Sequence, residues 1–153
     1  MQFEFTPMTW RYAETIAHWR YSGIYAFYNL EQDPEDREEF LDPTSWKDTY
    51  YAVLDESEAL VGFFVFERED EAIVLGLGLS PDLTSRGLGA GFVEEGLQFA
   101  RRTFKPMAFR LSVAVFNQRA IRVYERLGFI AERVFQQETN GGTYEFVEMR
   151  RVA

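Results

Sequence analysis

The sequence predicts a mixed α/β (α+β) fold, with a central, mostly antiparallel sheet of about seven strands flanked by about four helices. Three observations predict it. Apolar runs of strand length recur through the first half of the chain with only a few residues between them, and connections that short imply antiparallel hairpins. Two segments in the second half carry apolar residues at helical spacing, and two final strand-like runs flank Asn140-Gly141-Gly142. The length of 153 residues suits one domain with a real core, so residues 1–153 are read as a single domain.

Gln2 to Thr6 alternates polar and apolar residues and reads as a strand stopped at Pro7. Thr9 is suited to cap a helix running to about Trp19, with Ala13, Ile16, Ala17 and Arg20 at helical spacing. Tyr21 to Tyr28 is aromatic and punctuated by Gly23, which reads as a loop or short helix. Asp33, Pro34, Glu35 and Asp36 then form a helix start, with a cap, a proline in the first turn and acids beside the positive end of the dipole. That acidic helix is a solvated face or, in a sharper reading, a rim that attracts a cationic substrate.

Thr49 to Leu54, Leu60 to Glu67 and Ala72 to Leu79 are successive strands, joined by the acidic turns Asp55-Glu56-Ser57-Glu58 and Glu69-Asp70-Glu71. Gly87 to Phe104 places Phe92, Val93, Gly96, Leu97, Ala100 and Phe104 on one helical face. Ala108 to Val115 is a strand and Arg119 to Leu127 a second amphipathic helix. Phe129 to Gln137 and Thr143 to Met149 close the chain as a hairpin.

Composition narrows the function. Sixteen Lys and Arg stand against 25 Asp and Glu, a formal net charge of −9, which disfavours a nucleic-acid binder or docking on an anionic membrane. With no cysteine and one histidine, His18, the inventory excludes disulfides, thiolate nucleophiles, cysteine-ligated clusters and multi-histidine metal sites, and no metal is expected. His18 and Arg20 read as ordinary surface or packing residues. Aromatic residues reach 17%, which predicts a core built of rings. No apolar stretch approaches the ~20 residues of a membrane span, and Met1 to Phe5 lacks the features of a signal peptide, so a cytoplasmic location is expected by default.

One segment carries chemistry. Leu75-Gly76-Leu77-Gly78-Leu79-Ser80-Pro81-Asp82-Leu83-Thr84-Ser85-Arg86-Gly87-Leu88-Gly89-Ala90-Gly91 runs from a strand through a short loop into a helix that opens in glycines. Amides of such a loop and of the first helical turn lack internal partners and point outward with the dipole, which suits a phosphate or pyrophosphate. Tight packing alone also explains glycines at such a turn. A Walker loop fits poorly, because Phe92-Val93 follows the last glycine in place of Lys-Ser/Thr. A dinucleotide fingerprint fits poorly too, since several hairpin strands precede the loop.

Together with Asn117-Gln118-Arg119-Ala120-Ile121-Arg122-Val123-Tyr124-Glu125-Arg126-Leu127-Gly128-Phe129, this loop resembles the GNAT superfamily of acyl-CoA-dependent N-acyltransferases. The second segment is similar to that family's N-x-x-A-x-x-x-Y-x-x-x-G-F pattern, one strand after the glycine helix. The element order makes the resemblance cover about residues 2–150. It departs from the pattern at Thr84, where the family usually has Gln or Arg if Gly87 and Gly89 are its glycines. The alternative register, Arg86-x-x-Gly89-x-Gly91, satisfies the pattern but moves it one helical turn from Pro81. The first register is preferred because loop length fixes where the amides lie.

The resemblance implies the following roles. Acetyl-CoA is the cosubstrate, with Leu77, Gly78 and Leu79 bonding its pantetheine arm. Ser85, Arg86, Gly87, Leu88, Gly89, Ala90 and Gly91 form the phosphate cradle. Gly76 and Gly78, poor strand formers, fit close ligand approach or a plain bulge. Asn117 is an N-cap that would also bond the arm. Tyr124 would be the general acid beside the sulfur, although by spacing alone it reads rather as core. The acyl group would pass to an amine by direct attack in a ternary complex, with a backbone amide stabilising the oxyanion. The acceptor is a small molecule or a peptide; a homodimer is a common state in the family.

The general base is open. Ser112 stands where N-terminal acetylases of the family often have Glu, and Glu69, Asp70, Glu71, Glu138 and Glu145 are unranked substitutes. Deprotonating a lysine amine at pH 7 costs about 4.6 kcal/mol, against about 1 kcal/mol for an α-amine, so a site without a carboxylate leans toward an amine of low pKa. The surplus of acid on the chain leans instead toward a cationic amine. The aromatic cluster Trp19, Tyr21, Tyr25, Phe27 and Tyr28 covers the acceptor side by resemblance, as core or as a cation box. A second reading, supported by Thr84 and Ser112, is a CoA-binding sensor that has lost catalysis.

Overall fold

The structure is a computed structural model and describes residues 1–153. Seven strands form one sheet: β1 (Glu4–Pro7), β2 (Tyr50–Leu54), β3 (Leu60–Glu69), β4 (Ala72–Leu79), β5 (Ala108–Ala114), β6 (Ile130–Thr139) and β7 (Gly142–Val152). Four α-helices accompany them: α1 (Trp10–Ala17), α2 (Pro34–Leu41), α3 (Gly89–Phe104) and α4 (Gln118–Arg126). The spatial order is β1-β2-β3-β4-β5-β7-β6, and every neighbouring pair is antiparallel except β4 with β5.

Local chemistry sets most boundaries. The Thr9 side chain accepts from Tyr12 N–H and starts α1, which stops at Ala17, two residues before the expected Trp19. The Asp33 carboxylate accepts from the N–H groups of Glu35 and Asp36 to start α2. Tyr21 to Tyr28 resolves into a 3₁₀ helix over Gly23–Tyr28. The final hairpin turns on Asn140 and Gly141, both at positive φ, the geometry of a two-residue turn between twisted strands.

Alternation along β3 separates two cores on opposite faces of the sheet. Phe64 and Phe66 point into the larger cluster with Phe92, Val93, Leu97, Phe109 and Tyr124, beneath α3 and α4. Phe63 and Val65 point the other way, against the smaller cluster of Ala13, Ile16, Phe40 and Trp46 beneath α1 and α2. The larger core is built of rings, as the composition predicts: Phe64 stacks on Phe66 at 5.4 Å and meets Phe92 at 4.9 Å. No helix is long and apolar enough to cross a membrane.

Burial raises the phenols of Tyr21 and Tyr124 above the usual tyrosine range and pushes Tyr50 up to about 12. An unfolded tyrosine ionises near pH ~10, so above that pH the unfolded chain releases protons that the folded chain keeps. Stability is therefore expected to fall as pH rises beyond about 10. In a titration followed at 295 nm, these three rings should ionise only with the unfolding transition seen by circular dichroism. Ionisation of all eight tyrosines before any loss of structure would contradict it.

Candidate active site

The one parallel pair opens the site. β4 and β5 pair only from Ala72 with Ala108 to Val74 with Arg110 and then diverge. Each stays anchored on its other side, β4 to β3 as far as Leu79 and β5 to β7 as far as Ala114. The gap is a cleft of about 450 Å³, lined by Leu75 to Leu79 on one side and Leu111 to Val113 on the other.

Register decides which β4 groups face the gap. Ser80 N–H donates to Val61 C=O at 2.8 Å, and bonded pairs alternate along an antiparallel ladder. Gly78 and Gly76 therefore direct their polar groups to β3, while Leu77 and Leu79 direct theirs into the cleft. Tyr21 Oη donates to the Leu79 carbonyl at 2.7 Å, leaving Leu79 N–H and both polar groups of Leu77 on the open edge. The β3–β4 register is continuous here, so Gly78 marks no bulge. A Cβ on Gly78 would run into the Phe63 ring on the neighbouring strand, so close ring packing favours glycine here.

At the C-terminal end of β4 the chain passes through a 3₁₀ turn, Pro81–Leu83, into α3. Ser85 and Gly87 have positive φ, 62° and 74°, and the turn they make exposes the backbone amides. From Ser85 to Gly91 no backbone N–H is bonded within the protein; the helical ladder begins with Phe92 N–H to Leu88 C=O at 3.0 Å. Seven consecutive amides without a backbone partner at the positive end of a sixteen-residue helix leave donors of the kind an anion would meet. Thr84, Ser85, Gly87 and Gly89 line the cleft, whereas Arg86, Leu88, Ala90 and Gly91 do not. This favours the register with Gly87 and Gly89 as the glycines. A Cβ at Gly89 would make ordinary contact with Val123 of α4 at 3.4 Å, so packing alone does not require this glycine.

α4 supplies the opposite wall. The Asn117 carbonyl oxygen accepts from Ala120 N–H at 3.1 Å, the expected N-cap, and its amide donates to Tyr28 Oη at 3.1 Å. Asn117 thus holds the aromatic segment in place, which the sequence did not reveal. Tyr124, two turns along, is buried between Phe129 and the cleft, and its hydroxyl bonds no other protein group. Burial, with a smaller contribution from Tyr28, keeps that phenol protonated well beyond neutral pH.

Sequence reasoning missed Arg119. It is the one charged side chain lining the cleft, donating to Ser85 Oγ at 2.8 Å and stacking 3.9 Å from the Tyr25 ring centroid. A signal existed, because a cation in the first turn of a helix opposes the dipole, and such local misfits mark function.

The unranked base candidates lie elsewhere. Glu69, Asp70 and Glu71 sit at the closed end of β4, where Glu69 pairs with Arg110 at 3.4 Å. Glu138 and Glu145 belong to the final hairpin, and neither lines the cleft. Ser112 does line it. Of the aromatic cluster, Trp19, Tyr21, Tyr25 and Tyr28 line the cleft, while Phe27 packs against Phe116 and Tyr144.

Residues 13–129 match the model of the acetyltransferase (GNAT) family. The chain belongs to that family, whose members are acyltransferases. A search of curated proteins finds no match. Among solved structures, a spermidine N-acetyltransferase chimera from Vibrio cholerae and hSSAT superimposes with a TM-score of 0.81 at 16% identity, covering 99% of this chain and 96% of that one. A GNAT-family acetyltransferase from Bacillus anthracis gives 0.79 at 16%, covering 99% and 95%. The Vibrio cholerae spermidine N-acetyltransferase in complex with CoA and spermine gives 0.76 at 16%, with the same coverage. At these identities the likeness is one of fold.

Proposed function

We propose that this GNAT member is a single-domain N-acetyltransferase that moves an acetyl group from acetyl-CoA to a primary amine by direct attack in a ternary complex. The observation that carries the reading is the run of unbonded amides from Ser85 to Gly91 at the mouth of the splayed strands. A chain with net charge −9 holds a polyanion there through backbone dipoles, supplemented by the Arg119 guanidinium. CoA in complex with a structural neighbour supports the same choice of cosubstrate.

The residues present fit that molecule. The amides of Ser85, Gly87 and Gly89 would take the pyrophosphate, and the open edge of Leu77 and Leu79 would align the arm as an added strand. Bound acetyl-CoA supplies the activated acyl carbon and a thiol leaving group. Tyr124, buried in the cleft wall, would hold a proton for the departing sulfur, and the free Leu79 N–H is suited to the developing oxyanion. Arg86, Leu88, Ala90 and Gly91 contribute by shaping the loop and helix start.

Calorimetry with CoA and an assay of amine-dependent thiol release test the reading. CoA is expected to bind, and Arg119→Gln to weaken it about tenfold, the loss of about one charge-assisted hydrogen bond. Tight CoA binding with no thiol release for any amine would favour the sensor reading instead.

A further inference from the structure

We propose that the amine acceptor is a monoamine carried on an aromatic or branched apolar body, bound with its nitrogen uncharged. The inference rests on the acetyltransferase reading above and names its substrate class.

The cleft passes through the sheet. On the α3 and α4 side lie the amide cradle and Tyr124; on the other side its walls are Ile16, Trp19, Leu30 and Phe63. The cosubstrate enters from the cradle, so the amine must approach from the second side. Trp19 packs at a tilt against Phe63 with centroids 6.4 Å apart, and Leu30 packs with them against the smaller core. Tyr28 closes the wall toward Tyr124, held by Asn117.

No carboxylate lines this chamber, and Glu31, Asp33 and Glu148 are each engaged with another group. Glu31 pairs with Arg20 at 3.1 Å. Asp33 accepts from Thr139 Oγ1 at 2.9 Å and from the first turn of α2. Glu148, opposite Ser112 in the strand register, pairs with Arg133 at 3.2 Å. An ammonium entering these walls would lose hydration with no counter-charge, a cost of several kcal/mol. A neutral amine on an apolar body loses little and buries its carbon surface. The chemistry closes without a protein base: the amine nitrogen bonds the acyl carbon, the carbon–sulfur bond breaks, Tyr124 protonates the sulfur, and the proton lost by the nitrogen restores the phenol through solvent.

The test compares aniline, 2-phenylethylamine and spermidine on the full chain, by thiol release and by binding to the CoA-loaded protein. The aromatic amines are expected to bind and react at least about tenfold better than spermidine, the discrimination an apolar pocket affords. Trp19→Ala should remove about tenfold of that advantage through the amine KM, leaving the acetyl-CoA KM unchanged. Leu30→Glu, which keeps Trp19, should shift the preference toward spermidine. Equal or better binding of spermidine by the unaltered chain, or no binding of the aromatic amines, overturns the proposal. If no amine releases thiol, the acetyltransferase reading falls, while the binding preference still decides the chemistry of the chamber.

Discussion

Replacing Tyr124 by Phe is expected to lower kcat about 100-fold while leaving the KM for acetyl-CoA within about threefold. The ring lies in the larger core against Phe129, and Phe keeps that packing, so the melting temperature should barely move. What disappears is the hydroxyl, which faces the cleft and bonds no other protein group. A thiol of ordinary pKa ~8.5 departs tolerably without help, which places the loss at the lower end of the range for a proton donor. Because burial raises this phenol above its usual range, the unaltered enzyme should show no loss of kcat from Tyr124 ionisation below pH 10. An unchanged kcat in Tyr124→Phe would remove the role.

Gly87→Val is expected to raise the CoA dissociation constant at least about 100-fold, the effect of losing two or more charge-assisted bonds from the cradle. Gly87 has φ +74°, which a β-branched residue avoids, so the loop must leave the turn that presents its amides. A Cβ at Gly87 meets open space, so the loss is one of binding more than of folding. Gly91→Ala is the control. Its Cβ also meets open space, its φ is unremarkable and Gly91 does not line the cleft, so CoA binding should stay within about twofold as the helix gains propensity. Equal damage in both variants would restore the register shifted by one helical turn.

These expectations rest on residues of differing legibility. Asp33-Pro34 and Thr9 announce helix starts because capping is chemistry between near neighbours, and the structure has both caps. The Asn140-Gly141 turn was legible for the same reason. The glycine loop announced a strand-to-helix turn, and together with the Asn117–Phe129 segment it carried the resemblance to the family. Tyr124 reads as core by spacing alone and as general acid only by resemblance; it is buried in the core and also lines the cleft.

The order and type of the elements, the ring-rich core and the family were therefore readable from the residues alone. Each depends on periodicity, composition or short-range hydrogen bonding. Which groups meet in the cleft depends on packing between distant elements. It takes divergence of β4 from β5 after three paired residues to open the sheet, and the β3 register to turn Leu77 and Leu79, but not Gly78, toward the gap. Folding then brings Arg119 to Ser85 across 34 residues and Asn117 to Tyr28 across 89. No local pattern encodes such pairs, because they form between elements whose own stability is settled elsewhere. The acid surplus shows the same limit. Net charge is a sum over the chain, whereas the cleft itself is lined by no carboxylate and by one charged side chain, Arg119.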